Sequence, residues 1–199
     1  MAMRGLLLFV GFIVVLGFGA LMGVQYAGLS IAKISTEQER LGLSDAPVTI
    51  VHYYDFLNAG SRRMYGQLLQ LRAQNRNVNI VIRPLPQYKQ SEVLARMAIV
   101  ARDLNLYEAF YNRFMRMELT DLEQRPEVIL SGLNVNGQYI LDHMYSRKTD
   151  MILKWNKFLA WTARVSVPPA LVIGDEVINH DALSVREIND KVEKLARAQ

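Results

Sequence analysis

Residues 48–61 read VTIVHYYDFLNAGS and change, within one short stretch, from a strand pattern to the start of a helix. The first seven residues are mostly β-branched or aromatic, and such a run after Pro47 predicts a buried strand. The turn residues NAG at 58–60 end that strand. From 61 to 74 the apolar residues recur on one face, which predicts a helix directly after the turn.

The neighbouring segments extend this pattern in both directions. Residues 78–82 form a second β-branched run that ends at RPLP, so the βαβ order predicts a parallel pair of strands with a right-handed crossover. Five segments with helical spacing follow between 91 and 163. The remaining predicted elements are a strand at 170–173, a return strand at 177–178 and a closing helix over 184–197.

Composition excludes several classes of protein. The chain has 199 residues, of which 51% are hydrophobic and 21% charged, so it is not an intrinsically disordered chain. A net charge of +4 is too small for a dedicated nucleic-acid binder. There is no cysteine, which removes disulfides, thiolate metal sites and thiol nucleophiles.

The amino-terminal segment predicts a membrane anchor. Residues 5–24 carry no charge, and a helix of twenty residues spans about 30 Å, the thickness of the hydrocarbon core. The alternative is a cleaved signal peptide, but no A-x-A-like site follows the apolar run. Arg4 precedes the run and the next charge is Lys33, so we expect the amino end in the cytoplasm and the rest outside. Gly19 and Gly23 have the spacing of a weak helix–helix dimer contact, although chance explains the match equally well.

These features divide the chain into three parts. We expect a cytoplasmic stub and transmembrane anchor at 1–27, a juxtamembrane linker at 28–44 and one globular domain at 45–199. Within the linker, residues 35–39 have overlapping capping-box spacings and Gly42 is a plausible helix stop.

Four segments, in this order and spacing, resemble the DsbA family of periplasmic thiol oxidoreductases. They are DAPVTIV at 45–51, DFLNAGSRR at 55–63, RPLP at 83–86 and VSVPPALVI at 165–173. The resemblance implies an α/β thioredoxin-like fold with an inserted helical domain at about 88–163. It also implies a degenerate active-site loop formed by Asn58, Ala59, Gly60 and Ser61.

The chain departs from this family at the reactive positions. The family's two cysteines would fall at Asn58 and Ser61, and neither an amide nor an unactivated hydroxyl can perform thiol–disulfide exchange. We therefore expect no enzyme activity and no cofactor. The family's buried carboxylate falls at His52, which we interpret as a hydrogen-bonded core histidine rather than a catalyst.

The cis-proline loop of the family corresponds to Val167, Pro168 and Pro169. In the resemblance Pro169 is the cis-proline, and the preceding residue pairs its backbone with bound peptide. Pro168 has no N–H, so we expect peptide capture in the family's manner to be weakened.

Other chemistry finds little support in the sequence. Ser61 and His52 lack the surrounding motif of a hydrolase, and Ser61 suits a helix cap. His52, His143 and His180 have no metal-ligand spacing, so we expect no metal site. No phosphate-binding glycine loop is present.

One stretch carries only basic charge. Between Asp55 and Glu92 there is no acidic residue, and the basic residues are Arg62, Arg63, Arg72, Arg76, Arg83 and Lys89. The stretch is either an ordinary solvated face or a binding patch for an acidic partner, lipid headgroups or, least of all, nucleic acid. We expect Arg62 and Arg63 to be exposed beside the degenerate loop. If they bind a partner, reversing both charges should abolish the complex and leave the melting temperature the same or slightly higher.

Together these expectations describe a single-pass inner-membrane protein with a non-redox, thioredoxin-like domain in the periplasm. The predicted role is a binding or assembly component of an envelope complex, for example a secretion or conjugation apparatus. The alternative is a membrane-tethered holdase chaperone for exported proteins.

Overall fold

The computed structural model describes residues 2–36, 39–42, 45–179 and 183–198. Its strands are β1 (Arg40–Gly42), β2 (Val48–Tyr54), β3 (Val78–Pro84), β4 (Ala170–Ile173) and β5 (Glu176–Ile178). Its helices are α1 (Ala2–Lys33), α2 (Ala59–Gln74), α3 (Lys89–Arg102), α4 (Tyr107–Arg116), α5 (Leu119–Leu122), α6 (Pro126–Ser131), α7 (Gly137–His143), α8 (Arg147–Thr162) and α9 (Val185–Ala196).

The five strands form one mixed sheet in the order β1-β3-β2-β4-β5. β2 and β3 are parallel, with Val51 opposite Val81, and this confirms the predicted βαβ unit. β4 is antiparallel to β2, and β5 is antiparallel to β4. Helices α3 to α8 are inserted between β3 and β4, at the predicted place in the chain.

The alternation of side chains along β2 divides the core between the two faces of the sheet. Val48, Ile50 and Tyr54 pack into the larger cluster, which also contains side chains of α2, α3, α4 and α9. Val51 and Tyr53 pack on the other face against residues of α8 and the end of α1. The central strand is therefore covered on both sides.

The predicted linker at 28–44 is in large part a piece of the domain. Ala32 is fully buried, and Gly28 lies so close to α8 that a Cβ there would come within 2.1 Å of Thr162 Oγ1. The predicted helical features at 35–42 are wrong, because Arg40–Gly42 is a strand that pairs antiparallel with β3. Glu37 and Gln38 of that pattern lie outside the described residues. A capping-box spacing is a local signal, whereas the edge of β3 offers unpaired backbone groups that only a strand satisfies.

The first helix contains the segment expected to cross a membrane. Among the described residues, Val15–Lys33 is one stretch that is long and apolar enough to do so, with a mean hydropathy of 1.5. Residues 15–20 of this helix are exposed. Gly19 and Gly23 have open space around them, and their dimerisation stays a prediction.

Arg83 connects this helix to the sheet and to the helical insertion. It lies near the end of β3, and its side chain is buried, with 4% of its surface exposed. Its guanidinium donates to the carbonyls of Ala32 (3.0 Å) and Ile34 (2.6 Å) at the end of α1. It also donates to Asn156 Oδ1 of α8 at 3.1 Å. A cation is favourable there because the last carbonyls of a helix carry partial negative charge.

We expect Arg83→Met to destabilise the protein by about 2–4 kcal/mol, since the variant leaves the buried Ala32 carbonyl, the buried Asn156 amide oxygen and the partly buried Ile34 carbonyl without a donor. For a domain of this size the melting temperature should fall by roughly 5–15 °C. The measurement is thermal unfolding of the full-length chain in detergent micelles. Arg76→Met at an exposed position of the same basic stretch is the matched control and should stay close to wild type. Equal melting of the two variants would contradict this role of Arg83.

Candidate functional site

Two loops are tied together at the carboxyl end of β2 by the carboxylate of Asp55. This side chain is buried, with 2% of its surface exposed. Its Oδ1 accepts a hydrogen bond from Leu57 N and its Oδ2 accepts one from Gln87 N, both at 2.8 Å. Asp55 therefore joins the loop after β2 to the loop after β3. No role was expected for Asp55 from the sequence. The position of Asp55 directly after a buried strand is the signal that could have identified this residue.

The two residues at the family's cysteine positions form local structural hydrogen bonds. Asn58 is the N-cap of α2, and its Oδ1 accepts from Ser61 N at 2.9 Å. Ser61 is fully buried, and its hydroxyl oxygen accepts from Asp55 N at 3.1 Å. Both polar groups thus hold the start of α2 in place, and the Ser61 hydroxyl is closed off from solvent.

The cis-proline loop packs directly on this helix start. The Pro168–Pro169 peptide bond is cis, and both prolines are buried. A Cβ at Gly60 would lie 3.0 Å from Pro169 Cδ, so the glycine permits the close approach of loop and helix. Val167 projects outward with half of its surface exposed. Pro168 has no N–H to offer to an extended peptide.

His52 belongs to a buried aromatic cluster behind the loop. Its Nδ1 lies 2.9 Å from Tyr111 Oη, with which it forms a hydrogen bond, and its Nε2 has no partner among the described residues. Tyr54 Oη lies 3.2 Å from Tyr107 Oη, and the rings of Tyr54 and Tyr111 pack edge to face with centroids 4.9 Å apart. Complete burial lowers the pKa of His52 to about 3, so the ring is neutral at neutral pH. The described contacts bind the ring of His52 to Tyr111 and the hydroxyl of Ser61 to the backbone, so the two do not form a catalytic pair.

The basic residues of the 55–92 stretch do not form one exposed patch. Arg83 is buried on the face of the sheet that packs against α8 and the end of α1. The prediction that Arg83 belongs to an exposed patch is therefore wrong. Arg72 forms a salt bridge with Glu108 at 2.7 Å. The exposed members are Arg63, Arg76 and Lys89.

The expectation that Arg62 is simply exposed is also wrong. Its guanidinium donates to the carbonyls of Phe114 (3.2 Å), Phe56 (3.4 Å) and Met117. Phe114 and Met117 lie at the carboxyl end of α4. A positive charge near the start of α2 is unfavourable for the dipole of α2, but it compensates the free carbonyls of α4. Only the packing of α4 against α2 makes that compensation available.

No protein-family model matches the sequence, and no curated protein matches it. Solved structures match well. A thioredoxin-like oxidoreductase from Silicibacter pomeroyi is 22% identical over 84% of this chain and 97% of its own, with a TM-score of 0.75. The thiol-disulfide exchange protein α-DsbA2 from Wolbachia pipientis is 17% identical over 87% and 96%, with a TM-score of 0.70. A periplasmic thioredoxin-like protein from Salmonella enterica serovar Typhimurium is 18% identical over 85% and 96%, with a TM-score of 0.68.

The chain has the DsbA-like thioredoxin fold. On this DsbA-like fold the reactive positions carry no thiol, so these 199 residues cannot form the mixed disulfide that thiol–disulfide exchange requires. Among the described residues no three His, Asp or Glu side chains converge as a metal site would need, and His180 lies outside them. The site is thus a packed junction of loops.

The burial of neutral His52 predicts a specific pH dependence. An unfolded histidine has a pKa of about 6.5, whereas the folded value is about 3. Above pH 6.5 both states are neutral and His52 contributes no pH dependence. Below it the unfolded state alone binds the proton, so the free energy of unfolding falls by up to about 1.4 kcal/mol per pH unit.

We expect His52→Phe to have a shallower pH slope than wild type between pH 6.5 and 4, measured by urea unfolding of the full chain in detergent. The control is His143→Asn, which replaces an exposed histidine outside the buried cluster. Parallel slopes for wild type and His52→Phe would show that His52 takes up a proton in the folded protein.

The contacts of Arg62 replace the earlier expectation for charge reversal. We expect Arg62→Met to lower the free energy of unfolding by about 1–3 kcal/mol, because carbonyls at the end of α4 lose their donor. Lys89→Met, at an exposed position in the first turn of α3, should change stability by less than about 0.5 kcal/mol. Urea unfolding measures the free energy of unfolding of both variants. If Arg62→Met leaves that free energy unchanged, the contacts of Arg62 with α4 do not stabilise the protein.

Proposed function

We propose that this chain is a membrane-anchored, non-redox thioredoxin-like protein whose domain lies in the periplasm. Its domain binds a protein partner as a component of an envelope complex, such as a secretion or conjugation apparatus. The observation that carries the proposal is the closed loop junction, in which Asn58 and Ser61 are occupied by capping and backbone hydrogen bonds. Among the described residues these side chains support the loops by hydrogen bonds, and a rigid junction of loops is suited to recognition through its outer surface.

The anchor is supported by the apolar helix and by how it enters the domain. Residues 5–24 are uncharged and long enough to span the bilayer. Gly28, Leu29 and Ala32 of the same helix pack against the domain, so the apolar segment and the domain are joined without a flexible spacer. Two observations support a periplasmic location for the domain: the charge asymmetry around the segment, and the periplasmic location of the similar thioredoxin-like protein from Salmonella enterica.

The outer surface of the loop junction offers apolar and aromatic groups to a partner. Tyr88, which follows the Asp55-linked loop, is 68% exposed, and Val167 of the cis-proline loop is 50% exposed. Ala59, at the start of α2, is also exposed. Exposed aromatic and apolar side chains on a rigid scaffold are typical of a protein-binding surface. We call these three residues the loop surface.

The topology of the chain is the first test. Alkaline phosphatase fused after Gln199 should be active, and β-galactosidase at the same point should be inactive, because the carboxyl terminus lies outside the cytoplasm. The chain should also stay in the membrane at full length on carbonate extraction. Processing near Ala27 with release of a soluble domain would contradict the anchor.

Partner binding is the second test. We expect a photoreactive phenylalanine derivative at Tyr88 or Val167 of the full-length chain to give one discrete adduct in living cells. The matched control is Lys194, an exposed residue at the opposite end of the sheet, where α9 ends beside the start of β3. That position should give no adduct.

The pattern of adducts separates the two functions considered for this fold. A holdase chaperone would give a broad ladder of many client proteins at Tyr88, whereas an assembly component gives one species of fixed mass. A ladder, or equal crosslinking from Lys194, would overturn the proposed function.

A further inference from the structure

The outer face of α8 carries a line of large apolar side chains that the sheet does not cover. Met151, Trp155, Phe158 and Trp161 are spaced by four, three and three residues, and between 44% and 60% of each is exposed. The rings of Trp155 and Phe158 stack with centroids 5.4 Å apart, and those of Phe158 and Trp161 are 6.0 Å apart. The spacing is that of one helix face. Trp155 and Trp161 are the two tryptophans of the chain.

Contacts between α1 and α8 establish how this face is oriented. Near the end of the predicted membrane-spanning segment at 5–24, Met22 Sδ lies 3.9 Å from the guanidinium of Arg164. Further along α1, Gly28 packs on Thr162. Further still, Arg83 joins Ala32 to Asn156 of α8. The helices α1 and α8 therefore run antiparallel, and the carboxyl end of α8 lies closest to the membrane-spanning segment of α1.

Distances along the two helices place Trp161 at the level of the membrane boundary. Gly28 is four residues beyond Val24, the end of the predicted twenty-residue membrane-spanning segment, and four residues of helix rise about 6 Å. The headgroup region extends about 5–8 Å beyond the hydrocarbon core. Thr162 and its neighbour Trp161 thus fall within that layer. Trp155 lies six residues earlier in α8, about 9 Å further along the helix axis.

The conformation and the surroundings of Arg164 fit the same layer. Its φ of +58° is left-handed, at a position just after a helix where glycine is usual. The left-handed region is unfavourable for a residue with a Cβ. A cleft of about 410 Å³ opens beside it, lined by Met22, Leu29 and Val177 and by the polar residues Thr162, Asp175, Asn179 and Arg164 itself. The Asp175 carboxylate forms an ion pair with Lys33 at 3.7 Å. The apolar side chains beside the Arg164 guanidinium match a phospholipid, which presents a phosphate next to acyl chains.

We propose that the carboxyl end of α8 is a membrane seat, in which Trp161 lies in the headgroup layer and Arg164 binds a phospholipid phosphate. The seat rests on the proposed membrane anchor. Tryptophan is enriched at this depth because its ring is apolar while its N–H needs a polar partner. With α1 crossing the bilayer and the seat resting on its surface, the domain has one orientation relative to the membrane. The loop surface is then presented to partners at a constant height.

The two tryptophans make the test direct. Trp155→Phe leaves Trp161 as the fluorophore, and Trp161→Phe leaves Trp155. The full-length variants are reconstituted in vesicles of phosphatidylcholine and phosphatidylglycerol, with and without phosphatidylcholine brominated at carbons 6 and 7. We expect the bromolipid to quench the emission of Trp161 at least twofold, and the emission of Trp155 by less than a quarter of that effect.

The charge of Arg164 provides a second measurement. Quenching of Trp161 in the Trp155→Phe background should increase when phosphatidylglycerol is included, and Arg164→Gln should abolish that increase. The control is Arg147→Gln at the opposite end of α8, an exposed position that the proposed orientation holds away from the membrane. Loss of the increase in both variants would point to a general charge effect and overturn the role of Arg164.

Flotation of the same vesicles separates failure of the seat from failure of the anchor. If the chain does not float with the vesicles, the anchor and the seat are both wrong. If it floats but Trp161 is unquenched, or if both tryptophans are quenched equally, the anchor stands and the seat is wrong. If Trp161 is unquenched and a photoreactive phenylalanine derivative at position 161 crosslinks two chains, the seat is wrong and this face of α8 contacts a second copy of the chain.

Discussion

The guanidinium of Arg83 joins three parts of the chain that are far apart in sequence. It extends from the end of β3 and donates to two carbonyls at the end of α1 and to Asn156 of α8. In the described part of the chain, its acceptors are two carbonyls and one amide oxygen. A buried arginine with neutral partners is stable only where several acceptors surround it, so the three segments have to meet at this point. The sheet, the helical insertion and the amino-terminal helix are thereby held as one body. The placement of α1 against α8, and the proposed seat of α8 on the membrane, both depend on this contact.

The need of buried polar groups for hydrogen-bond partners also explains why the side chains of the loop junction are not available to solvent. In a thiol oxidoreductase the start of the corresponding helix presents two sulfur atoms. In this chain Asn58 caps the helix, the Ser61 hydroxyl accepts from the backbone of Asp55, and the Asp55 carboxylate holds the neighbouring loop. Each group satisfies a backbone donor that would otherwise be buried without a partner. The fold is preserved because these hydrogen bonds support the loops, and the loops then provide a rigid surface for recognition.

Much of the architecture could be predicted from local patterns. The strand at 48–54, the helix after it and the β-branched run at 78–82 have strong periodic signals, and the four segments of the family resemblance lie in the right order. The strand at Arg40–Gly42 could not be predicted, because three residues carry no periodicity and their neighbours carry a capping-box spacing. Arg62 and Arg83 were misjudged for a related reason. Charged residues are usually exposed, and only the convergence of distant carbonyls makes their burial favourable.

By itself, the sequence determined the class of the fold, the uncharged segment before it and the absence of thiol chemistry. These properties depend on residue type and on spacing within one segment, which are visible without coordinates. Only the tertiary structure decided which side chains are free to act. The Ser61 hydroxyl is buried, and burial keeps the His52 ring neutral at neutral pH. The basic residues lie on separate faces of the domain, and the aromatic face of α8 is exposed to solvent. Exposure and hydrogen bonding depend on which segments meet across the fold, and the chain encodes that information only through long-range packing.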